Sequence, residues 1–122
     1  MKNKILIIED NEQNMYLLNF ILVQHGYAVV QAFHGDEGVS LAAQHLPDLI
    51  LLDIQLPVMD GYAVARELRK NEALASVPIV AVTSYAMPGD REQALAAGCS
   101  GYIEKPIDPD TFMDQVEYYL KT

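Results

Sequence analysis

The chain has 122 residues, 51% of them hydrophobic, which suits one domain with a core of its own. Seventeen Asp and Glu against eight Lys and Arg give a net charge of -9, so nucleic-acid backbones and anionic membrane surfaces are repelled while divalent cations are not. Cys99 is the one cysteine, so no internal disulfide forms; no apolar run reaches the roughly 18–20 residues of a membrane helix or the apolar core of an export signal, and the expected home is a reducing cytoplasm.

Lys4–Ile8 reads as a first strand, closed by Glu9 and Asp10. Residues 11–25 read as a helix: Met15, Leu18, Ile21 and Leu22 recur at helical spacing, Asn11 supplies an N-cap and Gly26 a stop. Ala28–Ala32 is a second, valine-rich strand. Residues 36–45 form a second helix, ended by Leu46-Pro47, because the residue before proline is pushed out of the helical region. Residues 48–52 are the third strand, with Asp53 just past its end. Residues 55–59, with Pro57, read as a loop, and Asp60 as the N-cap of a third helix over 62–70. On that helix Arg66, Arg69 and Lys70 read as a solvated basic face.

Val77-Pro78 leads into a fourth strand over 79–82, followed by Thr83-Ser84. Residues 88–97 form an alanine-rich fourth helix with Gly98 at C′. Gly101–Glu104 is a short fifth strand that runs into Lys105-Pro106. Asp108 and Pro109 make an N-cap and N1 pair for a last helix over 110–120. His25, His34 and His45 are scattered at helix and loop ends and lack zinc spacing, so they read as ordinary surface residues.

Strict β–α alternation implies an α/β fold, a parallel sheet with helices on both faces. Near-continuous apolar strands agree, because parallel strands are buried on both sides. Right-handed crossovers leave few topologies. The expected one is flavodoxin-like, a five-stranded (βα)5 three-layer sandwich of order 2-1-3-4-5, with its ligand site beyond the strand ends between the first and third strands.

Glu9, Asp10 and Asp53 fall at that spot, with Thr83 and Lys105 at the neighbouring strand ends. Taken singly, each has an ordinary reading as a cap, a turn former or a surface lysine. Taken together they make a pocket. Three carboxylates within a few ångströms need counter-charge. Lys105 offsets one unit and a divalent cation two more. Hard oxygen ligands favour Mg2+, with Mn2+ or Ca2+ as substitutes, over zinc. Beside a metal and a lysine, a carboxylate can attack a phosphoryl group and form an aspartyl phosphate. Asp53 suits the attack because it stands alone at its strand end, whereas Glu9 and Asp10 are paired and better placed to hold metal.

The stretches Ile7-Ile8-Glu9-Asp10-Asn11, Pro47-Asp48-Leu49-Ile50-Leu51-Leu52-Asp53, Leu56-Pro57-Val58-Met59-Asp60-Gly61, Val82-Thr83-Ser84 and Lys105-Pro106 resemble the receiver domain of bacterial two-component response regulators, the CheY-like superfamily. The likeness runs over residues 4–120, so the expectation is one receiver domain over 1–122 with no output domain. It implies Asp53 as phosphoacceptor, Asp10 as a direct Mg2+ ligand, Glu9 as one acting mainly through water, and the Gln55 backbone carbonyl as the remaining protein ligand. It implies that Thr83 moves to meet the phosphoryl group, that Lys105 pairs with it, that the Lys105-Pro106 bond is cis, and that Tyr102 is an aromatic switch. Gln55 and Tyr85 would flank the path of attacking water, Tyr85 slowing hydrolysis by its bulk. Among single-domain receivers, Glu9-Asp10-Asn11-Glu12 with Asn14-Met15, Asp53-Ile54-Gln55-Leu56-Pro57, and Ala86-Met87 with Gly89-Asp90 are similar to the DivK type.

The resemblance implies a phosphorelay protein rather than a substrate-turning enzyme. Its donor would be a histidine kinase or a histidine phosphotransfer protein. Its output would be a protein met on the face of the fourth helix, fifth strand and fifth helix, or onward phosphotransfer. Tyr118 and Tyr119 fall near that face, or else one packs the helix and the other is solvated. A receiver detached from a hybrid histidine kinase would look much the same. An aspartate-nucleophile phosphatase would carry a second Asp where Gln55 stands. A flavodoxin-type nucleotide binder would carry a Gly/Ser/Thr-rich loop where Glu9-Asp10 would repel phosphate. A pure interaction module would have no use for Asp53, Thr83 and Lys105 together.

Overall fold

The central strands are near-continuous apolar runs, over residues 5–8, 49–52 and 79–82, which requires a packing layer on both sides of the sheet. The computed structural model describes residues 3–56, 60–84 and 89–121. Along these run β1 (Lys4–Ile8), α1 (Glu12–Gln24), β2 (Ala28–Ala32), α2 (Gly35–His45), β3 (Leu49–Asp53), α3 (Gly61–Arg69), β4 (Ile79–Thr83), α4 (Asp90–Ala96), β5 (Gly101–Glu104) and α5 (Pro109–Lys121). The five strands pair in parallel in the order β2-β1-β3-β4-β5, the order expected. Among the described residues no helix is long and apolar enough to cross a membrane.

Alternate strand residues feed two cores. Ile5, Ile7, Leu49, Leu51, Val80 and Val82 pack under α1 and α5, against Met15, Leu18, Leu22, Phe112, Met113 and Val116. Leu6, Ile8, Ile50, Leu52, Ile79 and Ala81 pack under α2, α3 and α4, against Ala42, Val64, Ala65, Leu68, Ala94 and Ala97. The sheet is thereby covered on both faces, and its carboxyl edge is where side chains can meet outside the core.

Caps set the helix starts. Asn11 Oδ1 accepts from the Asn14 N–H at 2.9 Å, and Asp60 Oδ1 from the Ala63 N–H at 2.9 Å. Asp108 Oδ1 accepts from the Asp110 N–H at 3.0 Å, and the helix begins at Pro109. α4 starts later than expected, at Asp90, because Gly89 before it holds a positive φ of 95°; Pro88 lies outside the described residues. β3 is displaced by one residue, from 48–52 to Leu49–Asp53. Asp48 falls outside because its carboxylate accepts from the Lys4 N–H at 2.7 Å, while Asp53 pairs in register with Val82. A 3₁₀ turn at Glu72–Leu74, capped by Asn71, was not expected.

Arg69 corrects the reading of a wholly solvated basic face. Arg66 and Lys70 are exposed, but Arg69 is half-buried. Its Nε donates to the Gly98 carbonyl at 2.8 Å, and its Nη1 to the carbonyls of Leu74 and Val77, each at 2.8 Å. The planar guanidinium fork suits that set of diverging acceptors, and it joins the end of α3 to the turns that lead into β4 and out of α4. Arg69→Met should cost about 2–3 kcal/mol of stability, since it strands buried carbonyls that had a charged donor. Urea unfolding followed by circular dichroism measures this; a loss below about 0.5 kcal/mol would place Arg69 with ordinary surface residues.

Candidate functional site

The carboxyl ends of β1, β3, β4 and β5 converge, as parallel pairing requires. Glu9 and Asp10 follow β1, Asp53 is the last residue of β3, Thr83 the last of β4, and Lys105 follows β5. One carboxylate oxygen each from Glu9, Asp10 and Asp53 lies within 4.8 Å of the others. Glu9 is 1% exposed and Asp53 3%, whereas Asp10 is exposed at the rim. Lys105 Nζ lies 3.5 Å from Glu9 Oε2 and 3.7 Å from Asp53 Oδ1.

The backbone holds these groups in place. The Glu9 N–H donates to the Ala32 carbonyl at 3.0 Å, the Ile54 N–H to Val82 at 3.2 Å, and the Lys105 N–H to Thr83 at 2.7 Å. The Gln55 N–H donates to Asp53 Oδ1 at 2.9 Å, fixing the carboxylate rotamer. The Lys105-Pro106 peptide bond is cis. Gly61 is required at the start of α3. A Cβ there would run into Ile54 Cα and the Asp53 carbonyl oxygen, and the Gly61 N–H donates to the Ile54 carbonyl at 3.0 Å. α3 therefore begins directly on the backbone that carries Asp53.

Thr83 is buried. Tyr102, in register with Ala81, is half-buried against the α3 and α4 side of the core. Gln55 is exposed, and its side-chain Oε1 accepts from Ser84 Oγ at 2.7 Å across the mouth of the pocket. Tyr85 lies outside the described residues, as do Pro57, Val58, Met59, Ala86 and Met87. Tyr119 is half-buried beside Gly101, while Tyr118 is 63% exposed and meets the Tyr119 ring edge-on at 5.1 Å.

One polar residue at the site, Asn14, was missed from the sequence. Asn14 Nδ2 donates to Glu9 Oε1 at 3.1 Å. The clue was its place in the first turn of α1, a short way along the chain from an acid that must be buried.

Electrostatically the pocket carries three carboxylates against one ammonium. Burial, and next the charge of Asp53, push the Glu9 carboxyl up from 4.5 to about 7, against the Asn14 hydrogen bond and Lys105, which pull it down. The donor set is all carboxylate oxygen, two of the three groups are buried, and an uncompensated negative charge remains. These residues fit a hard divalent cation.

A stability consequence follows from linkage. Folded Glu9 takes up a proton with a pKa of about 7, but the unfolded residue does so near 4.5. The folded state therefore binds more protons between these values, and the stability this gives is lost as pH rises through 7. The metal-free melting temperature should fall between pH 5.5 and 8, and Glu9→Gln should flatten that fall. A melting temperature that rises over the same range, with the same profile in Glu9→Gln, would contradict the assignment.

Residues 5–117 match the response regulator receiver domain family. The chain is 42% identical over 120 residues to the polar-differentiation response regulator DivK of Brucella ovis, covering 98% of each chain. It is similar in structure to the receiver domain of the sensor histidine kinase PA1611 from Pseudomonas aeruginosa PAO1, whose crystal structure has a magnesium ion coordinated in the active site cleft: TM-score 0.92, 35% identity, 100% of both chains covered. The chemotaxis protein CheY4 of Vibrio cholerae superposes with a TM-score of 0.94 at 25% identity, over 98% of this chain and 99% of that one. With the match running from β1 into α5, across every strand end that builds the pocket, the chain belongs to the response regulator receiver domain family.

Proposed function

We propose that this receiver accepts a phosphoryl group on Asp53 from a histidine kinase or a histidine phosphotransfer protein and acts as a phosphorelay switch. The observation that carries this is the position of Asp53: buried, at the end of β3, with an oxygen within 4.8 Å of one each from Glu9 and Asp10 and 3.7 Å from Lys105 Nζ. In the transfer an Asp53 oxygen forms the new O–P bond as the N–P bond of the donor histidine breaks, and the imidazole leaves neutral with a proton taken from solvent water.

Glu9, Asp10, Asp53 and the Gln55 backbone carbonyl would hold Mg2+, or Mn2+ or Ca2+ in its place. Bound there, the cation supplies charge for the phosphoryl oxygens. Lys105 neutralises another oxygen and holds Asp53 before transfer. The Thr83 hydroxyl moves to meet the phosphoryl group, and Tyr102 turns inward into the space this opens. Both conformations pre-exist, and phosphorylation shifts their populations. The output surface is the α4-β5-α5 face. Gln55 and Tyr85 tune the return of water to the acyl phosphate. The chemistry is self-phosphorylation and autodephosphorylation, with no external substrate turned over.

The likeness to the DivK relative, over 98% of each chain, supports a DivK-type phosphorelay role. Gln55, where an aspartate-nucleophile phosphatase carries its acid, disfavours that enzyme class. Incubation with acetyl phosphate, read by intact mass, tests the proposal. A single-phosphoryl adduct that needs Mg2+ and disappears with a chelator is expected. No adduct from either acetyl phosphate or a phosphorylated histidine donor would reject it.

A further inference from the structure

We propose that Asn14 is a positioning residue for the acidic pocket: from α1 it fixes the Glu9 carboxylate in the orientation that binds the cation. The proposal rests on the reading of Glu9, Asp10 and Asp53 as a metal site.

The geometry is specific. Asn14 is the third residue of α1, and its backbone N–H is already committed to the Asn11 cap at 2.9 Å. Its side chain turns to the sheet edge instead, and Nδ2 donates to Glu9 Oε1 at 3.1 Å. The other oxygen, Oε2, faces Lys105 Nζ at 3.5 Å. Glu9 is thus held at both oxygens, from two elements that are far apart in sequence. Without the amide, the carboxylate is left to the ammonium and to Asp53, and the ammonium competes with a cation for the same negative charge. With the amide, Glu9 keeps a fixed rotamer when a cation draws it away from Lys105. Groups that orient a metal ligand in this way commonly change affinity by tenfold or more when removed.

The surroundings make this testable without unfolding the protein. Asn14 is half-buried and lines a cavity of about 150 Å3 between α1 and the segment after β5, together with Leu17, Leu18, Lys105, Pro106 and Ile107. A leucine at position 14 would face mostly apolar neighbours there, so Asn14→Leu should keep the fold.

Isothermal titration of MgCl2 into the wild-type chain, Asn14→Leu, Glu9→Ala and the double variant decides the matter. Asn14→Leu should weaken Mg2+ binding about tenfold. In the Glu9→Ala background the same substitution should change nothing, because the group it acts through is gone. Equal Mg2+ affinity in wild type and Asn14→Leu would overturn the proposal. So would an equal loss in both backgrounds, which marks a general structural effect. A wild-type chain that binds no Mg2+ would overturn the metal reading itself, and the first titration separates that result from the others.

Discussion

Asp53→Asn should fold normally and take up no phosphoryl group from acetyl phosphate or from a phosphorylated histidine donor. Asparagine has nearly the same shape, and its Oδ1 can still accept from the Gln55 N–H, which lies 2.9 Å from the present oxygen. What it lacks is an ionised oxygen to form the acyl phosphate, so the loss should be complete rather than partial. A second effect has the opposite sign. The substitution removes one of three clustered carboxylates, two of them buried, so the metal-free variant should melt at a higher temperature than the wild type. Intact mass and thermal unfolding measured on one sample check both. A variant that still gains a phosphoryl group would move the acceptor elsewhere. One that melts lower would mean that Asp53 is held mainly as a structural partner of Lys105.

Lys105→Met should slow phosphoryl uptake by about 10²- to 10³-fold while leaving Mg2+ binding intact or tighter. The first figure is the usual cost of removing one preorganised group from a site where charge develops. The second follows from charge. Lys105 Nζ lies 3.5 Å from Glu9 and 3.7 Å from Asp53, so it offsets carboxylates that a cation would also use. Two unit charges about 4 Å apart interact by about 4 kcal/mol at the effective dielectric of a partly buried site, which is ample to shift cation affinity. Methionine keeps the unbranched shape of the side chain. Stopped phosphorylation time courses and Mg2+ titration of the same variant measure the two effects. If both rate and Mg2+ affinity fell together, Lys105 would be a packing residue of the pocket rather than its counter-charge.

The parallel sheet was legible because its central strands are near-continuous apolar runs and its helices announce themselves with caps at Asn11, Asp60 and Asp108. The pocket was legible for the same reason: once the strands are parallel, their carboxyl ends must share one edge, and Glu9, Asp10, Asp53, Thr83 and Lys105 stand at those ends. Local pattern fails where a partner is distant. Asp48 and Asp53 flank the same apolar run, and only the Lys4 N–H, which captures Asp48, sets the strand one residue later. Arg69 looked solvated because its three shortest acceptors, Leu74, Val77 and Gly98, are carbonyls that no residue type reveals. Asn14 looked like an ordinary polar residue of a helix start, since its nearness to Glu9 in the chain does not say which way its amide points.

The most direct test of the account is to map the phosphorylated residue chemically. An acyl phosphate is reduced by borohydride, so a phosphorylated aspartate is converted to homoserine, which peptide sequencing by mass spectrometry locates. After treatment with acetyl phosphate and Mg2+, the account predicts homoserine at position 53 alone. Conversion of Glu9 or Asp10 instead, or a stable phosphoryl group on a hydroxyl such as Thr83, would contradict it.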